Sequence, residues 1–210
     1  MRKIKSIERY YNFYLRKYKK GPRAVNWSSK KTQKIRFDKI YEAGHFDNKK
    51  IHDVGCGLAH FYDFLKKKKL RFRYIGTDIS AEMINCAKRQ FNSKKINLQR
   101  VNLLKINNKK LLKKLSADFV IANGLFTVKN SLSNKYWWSY VRKMLKKMFY
   151  ITNECLVFNF MKINVDYKDS HLYYQSIDQL LKFIEKYLSK KIIIKQDYPL
   201  YEFMVYVYKK

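Results

Sequence analysis

The sequence predicts an α/β fold: a doubly wound sheet of seven strands with helices on both faces, a helical leader ahead of the first strand and an antiparallel C-terminal hairpin. Three observations predict it. From residue 50 onward, short apolar runs alternate with amphipathic helical segments, the order a mostly parallel sheet requires. The first run ends in Asp53-Val54-Gly55-Cys56-Gly57 and gives way at once to a helix-like segment. The chain closes with two β-rich runs, 191–195 and 203–208, joined by a short loop containing Pro199, which fits an edge hairpin rather than a wholly parallel sheet. With 210 residues and no Pro/Gly/Ser-rich linker, one domain over 1–210 is expected, with a leader over 1–48 and a core over 49–210.

Residues 1–20 place Ile4, Ile7, Tyr11, Tyr14, Leu15 and Tyr18 three and four apart, an amphipathic helix that Gly21-Pro22 stops. Ser28 or Ser29 can cap a second helix carrying Phe37, Ile40 and Tyr41, which ends at Gly44. After the glycine turn, Phe61, Phe64 and Leu65 mark the next helix. The second strand, 71–76, runs into Thr77-Asp78-Ile79-Ser80, and Ser80 can cap a helix with Met83, Ile84, Ala87 and Phe91 inward. Strands are expected at 96–101, 118–122 and 156–160. A helix over 136–148 should bury Trp138, Val141, Leu145 and Met148, and Ser176 to Gln179 reads as a capping box for a helix burying Leu180, Leu181, Ile184 and Leu188.

The glycine turn carries the chemistry. A strand running into a glycine-rich turn and then a helix leaves backbone N–H groups where a polar ligand can approach. The spacing is not the G-x-G-x-x-G of a dinucleotide fold, because the small residues fall at Gly55, Gly57 and Ala59 and an acid, Asp53, precedes them. Asp78 stands at the end of the second strand, 21 residues past Gly57, where a carboxylate can take both hydroxyls of a ribose.

Asp53-Val-Gly-Cys-Gly, Tyr74-Ile-Gly-Thr-Asp78-Ile-Ser, the run from Ala117 to Gly124 and the closing hairpin resemble the class I S-adenosylmethionine-dependent methyltransferases, over about 51–209. Trp27, Gln33, Arg36, Asn159 and Glu202, with their neighbours, resemble a poorly characterised bacterial branch of that family. The resemblance implies a Rossmann-like fold and S-adenosylmethionine as cofactor. It implies that Asp53, Val54, Gly55, Cys56 and Gly57 hold the methionine moiety, Asp78 the ribose hydroxyls and Ile79 an adenine face. Asn102 falls where many members carry an acid near the adenine amino group, and Asn123 and Gly124 where backbone lines the methionine end. Ala59 stands in place of the usual third glycine. Trp27 and Arg36 are expected to close over the cofactor, with the Arg36 guanidinium on the methionine carboxylate.

Methyl transfer from a sulfonium needs orientation and a dry pocket, and a base only where the acceptor must lose a proton. Candidate bases by residue type are His171, His60 and Asp197, with helix capping the alternative role for His60. No metal site is suggested, since Cys56, Cys86 and Cys155 are widely spaced. The formal net charge of +31 allows nonspecific nucleic-acid binding, yet the lysines are spread along the whole chain. After the fourth strand the chain reads Ala122-Asn-Gly-Leu, unlike the Asn/Asp-Pro-Pro motif of base-flipping amino methylases. The expected acceptor is therefore a small or sugar-type molecule, with RNA the alternative and a catalytically weak cofactor-binding protein the second. No membrane span and no secretory leader are read, so the expected location is the cytoplasm.

Overall fold

The computed structural model describes residues 4–91 and 93–209. Helix α1 (Ile4–Tyr18) buries Ile7 and Leu15; positions 1–3 of the expected first helix lie outside the described residues. A single 3₁₀ turn, Pro22–Val25, follows, and α2 (Lys30–Tyr41) begins at Ser29, whose side chain accepts from the Thr32 N–H. The core then alternates as β1 (Lys49–Val54), α3 (His60–Lys67), β2 (Phe72–Asp78), α4 (Ala81–Gln90), β3 (Ile96–Arg100), α5 (Lys109–Lys114), β4 (Ala117–Ala122), α6 (Asn134–Tyr150) and β5 (Thr152–Lys162). It ends with β6 (Tyr174–Gln175), α7 (Ile177–Tyr187), β7 (Ile192–Lys195) and β8 (Glu202–Tyr208).

The strand order is β3-β2-β1-β4-β5-β8-β7, parallel from β3 to β5, and β8 lies antiparallel to both β5 and β7. The seven expected strands are all present. An eighth, β6, is only two residues long and pairs beside the end of β5, too short to leave a pattern in the sequence. β8 is buried over six of its seven residues because it sits between two neighbours.

Alternate residues of the strands feed two cores. On one face α2, α3 and α4 cover Ile51, Tyr74, Phe119 and Ile121; on the other, α5, α6 and α7 cover Val54, Ile75, Val120 and Phe158. In α6 the buried indole is Trp137, whose N–H donates to the Phe126 carbonyl at 3.0 Å, whereas Trp138 packs at the margin against Phe183. The expected stripe was one residue out of phase there, since both indoles satisfy a helical period. In α7 the buried positions are Leu180, Phe183 and Ile184, with Leu181 and Leu188 only partly covered. Helix α5 was not anticipated: KKLLKK buries only Leu112 and has no apolar stripe to read.

Helix α1 adds Ile7 to the core that α6 covers and Leu15 to a small cluster with Leu58 and Met83. It crosses the open edge at the C-terminal ends of the strands, held by Arg16 and Asn12 on Glu82, by Ser80 Oγ donating to Asn12 at 2.6 Å, and by Arg100 3.6 Å from Glu8. No helix among the described residues is long and apolar enough to cross a membrane.

Candidate active site

The tips of β1 and β2 are tied together by the turn that follows β1. The N–H groups of Gly55 and Cys56 both donate to the Thr77 carbonyl, at 2.7 and 3.1 Å. Gly57 N–H donates to Asp78 Oδ2 at 3.0 Å, and Ser80 N–H to Asp78 Oδ1 at 2.8 Å. Asp78 therefore shapes the glycine turn while its oxygens keep lone pairs for a ligand. The third small position, Ala59, adopts a left-handed backbone with φ 56° and is wholly buried. Alanine holds there a conformation glycine would adopt without strain.

Asp53 is 5 % exposed and takes the Tyr74 hydroxyl at 2.5 Å. Burial lifts its carboxyl to about 7, opposed by the Tyr74 hydrogen bond and reinforced by the charge of Asp78. Burial likewise raises Asp78, against the N–H bonds from Ser80 and Gly57, and holds the Cys56 thiol well above its ordinary range. Cys56 is thus a packing group rather than a nucleophile.

Asp53, Val54, Gly55, Cys56, Gly57, Asp78, Ile79, Asn102, Asn123, Gly124 and Trp27 all line one cavity at the strand tips. Asn102 Oδ1 accepts from Leu104 N–H at 3.1 Å, capping a short 3₁₀ turn. Its remaining polar group is an NH₂ donor, suited to a ring nitrogen rather than to an amino group. Asn123 Oδ1 is buried with no partner, an orphaned acceptor in the cavity wall. Such an atom stays unsatisfied unless a ligand donates to it. Gly124, at φ 74°, has no room for a side chain, because a Cβ there would stand 2.6 Å from the Trp27 ring.

Arg36 does not reach the cavity. Its guanidinium lies buried in a two-pronged pair with Glu202, donates to the Thr32 carbonyl at 2.9 Å and stacks 4.0 Å from the Trp27 ring centroid. The expected contact with a methionine carboxylate is thereby corrected: a buried carboxylate 166 positions along the chain takes the arginine instead. In its place Gln33 and His60 face the cavity, with Gln33 Nε2 3.1 Å from His60 Nδ1. Burial lowers the His60 imidazole, so the ring is neutral. Because Gln33 donates to Nδ1, its proton sits on Nε2.

Two candidate bases lie elsewhere. His171 pairs with Asp169 and faces Tyr10, and Asp197 is an exposed partner of Lys39 at 3.0 Å. Sequence reasoning missed the roof and back wall, Ile7 and Tyr11 from α1 and Tyr140 and Met144 from α6. Their helical spacing was legible, but it carries no sign of which face lies over a ligand.

Residues 52–148, spanning the turn, Asp78 and Asn123, match a family profile described as "Methyltransferase domain". The chain carries a methyltransferase domain. A Mycobacterium tuberculosis protein named as a candidate methyltransferase is 26 % identical over 164 residues, 76 % of this chain and 92 % of that one. Magnesium protoporphyrin IX methyltransferase from Synechocystis PCC 6803, solved with bound SAH, superposes with a TM-score of 0.62 at 12 % identity, covering 86 % of this chain and 84 % of that chain. The N-methyltransferase NodS from Bradyrhizobium japonicum gives a TM-score of 0.60 at 11 % identity over 87 % and 99 %. This methyltransferase thus has the class I fold read from its sequence; of the two neighbours, the Synechocystis enzyme was solved with SAM and with SAH.

Proposed function

We propose that this methyltransferase transfers the methyl group of S-adenosylmethionine to a small-molecule acceptor inside a roofed cavity. The observation that carries the reading is the position of α1: Ile4, Ile7 and Tyr11 cover the strand tips from which the cofactor residues project. A duplex or a folded RNA needs an open approach, whereas a small acceptor can be enclosed and kept from water.

The residues present fit the cofactor. Asp78 offers carboxylate lone pairs to the ribose hydroxyls. Ile79 and Leu103 supply apolar faces for the adenine ring. The orphaned Asn123 Oδ1 and the carboxylate of Asp53 are acceptors for the amino group of the methionine end. The cofactor supplies an electrophilic methyl on a sulfonium; the protein aligns the acceptor and excludes water.

The lining also bears on the acceptor. His60 presents an N–H donor, and burial raises the Tyr11 and Tyr140 hydroxyls, which stay protonated. With His171 and Asp197 outside the cavity, the reading favours an acceptor atom that is nucleophilic without a side-chain base, such as a neutral amine or an already ionised oxygen.

The test is incubation with methyl-labelled cofactor and, separately, a small-molecule extract and a pool of cellular RNAs. Label recovered in a low-molecular-weight product supports the proposal. Label confined to one RNA species overturns the small-acceptor reading in favour of an RNA substrate.

A further inference from the structure

The cavity wall at Asn123 and Gly124 is held from behind by a chain of buried polar contacts that begins in the leader. Arg36 on α2 grips Glu202 at the start of β8. Glu202 Oε2 accepts from Asn159 Nδ2 on β5 at 2.6 Å, and Asn159 Oδ1 accepts from the Gly124 N–H at 2.7 Å. Arg36, Glu202 and Asn159 are 7 %, 2 % and 0 % exposed. Trp27 closes the loop, stacked on Arg36 on one side and set against Gly124 on the other.

These contacts fix one peptide plane. A trans peptide points its N–H and the preceding carbonyl in opposite directions, so anchoring Gly124 N–H on Asn159 turns the Asn123 carbonyl away from β5. The Asn159 amide has one oxygen and one NH₂. Glu202 takes the NH₂, which leaves the oxygen for Gly124, and Arg36 fixes the carboxylate that makes this choice. Without Glu202, the buried Asn159 NH₂ loses its acceptor and only the Gly124 N–H is left to hold the amide in place.

We propose that Arg36, Glu202 and Asn159 are positioning residues for the cofactor site, setting the Asn123–Gly124 peptide that lines the methionine end. The proposal rests on the cofactor reading above. It assigns to three residues outside the cavity lining an influence on cofactor affinity exerted through the Asn123–Gly124 peptide, and it makes the leader and the terminal hairpin working parts of the site.

The test is calorimetric titration of the full chain with S-adenosylhomocysteine, alongside the amide NMR signal of Gly124, which is readily assigned because the chain has only six glycines. Three proteins are compared: wild type, the near-isosteric Glu202→Gln, and the double variant Arg36→Met/Glu202→Leu. The double replacement removes the buried charges together, a change that is often neutral or stabilising. The expected result is a displaced Gly124 signal and at least tenfold weaker binding in both variants, with the double variant melting at or above Glu202→Gln. Asn159→Ala, which deletes the anchor alone, is expected to weaken binding to the same degree and serves where the double variant does not fold. Folded variants that bind as tightly as wild type with Gly124 unmoved would overturn the proposal and reduce the contacts to packing. Absence of binding in the wild type itself would instead overturn the cofactor reading.

Discussion

The Tyr74 hydroxyl, on β2, donates a 2.5 Å hydrogen bond to Asp53 Oδ2 at the end of β1, beneath the glycine turn. The carboxylate is buried beside Asp78, and its proton is retained to about pH 7. A cationic cofactor favours the ionised form. Binding of S-adenosylmethionine is therefore expected to tighten as pH rises from 6 to 8, with release of a proton. Calorimetry in buffers of different ionisation enthalpy checks this, and Asp53→Asn should flatten the profile.

The same group affects stability in the opposite direction to its neighbour in the strand. Asp53 binds its proton more tightly in the fold than in the unfolded chain, so its contribution is present below about pH 4 and is lost as pH rises through 7. His52 is buried, with Nδ1 2.9 Å from the Leu115 carbonyl and Nε2 2.9 Å from the Thr77 hydroxyl. Burial lowers its imidazole to about 4, so its contribution is lost as pH falls from 6.5 toward 4. The two trends offset each other. Asp53→Asn, measured by urea denaturation without ligand, should lose stability on acidification more steeply than wild type.

Removing residues 1–45 should abolish folding. It deletes Phe37 and Ile40 from the core and strips Arg36 from Glu202, and an abandoned buried charge costs about 3–5 kcal/mol. Removing only residues 1–20 leaves α2 in place and uncovers the cavity. That shorter truncation should stay folded by circular dichroism and release S-adenosylhomocysteine faster, by on the order of tenfold in stopped-flow measurements.

Binding to nucleic acid should follow counterion release alone. With 47 basic residues spread along the chain, affinity for mixed RNA is expected to fall by roughly 10³–10⁵ between 50 and 200 mM salt, without preference for one species. A filter-binding salt titration decides it. Selective retention of a single RNA at the higher salt would speak for a specific nucleic-acid partner.

The succession of strands and most of the helices were legible because short apolar runs, as in Ile51 to Val54, alternate with helices that bury one stripe, as in Leu180 to Ile184. Asp53, Gly57 and Asp78 could be placed together because strand, turn and strand fix their separation in space. Arg36 was misplaced for the converse reason: it and Glu202 are 166 positions apart, and no local pattern says which carboxylate a leader arginine will meet. Trp137 and Trp138 differ by one helical position, so the stripe admits either until the Phe126 carbonyl selects one. The roof from α1 was read as an amphipathic helix, but its apolar face gives no sign of what it covers.

The central claim is that the cavity binds S-adenosylmethionine with Asp78 on the ribose, and titration of wild type and Asp78→Ala with S-adenosylhomocysteine tests it most directly. The expected result is saturable one-to-one binding in the wild type and a loss of about 1.5–3 kcal/mol in the variant, as charge-assisted hydrogen bonds disappear and the Gly57 turn loses its anchor. Equal affinity in the two proteins, or none in the wild type, would contradict it.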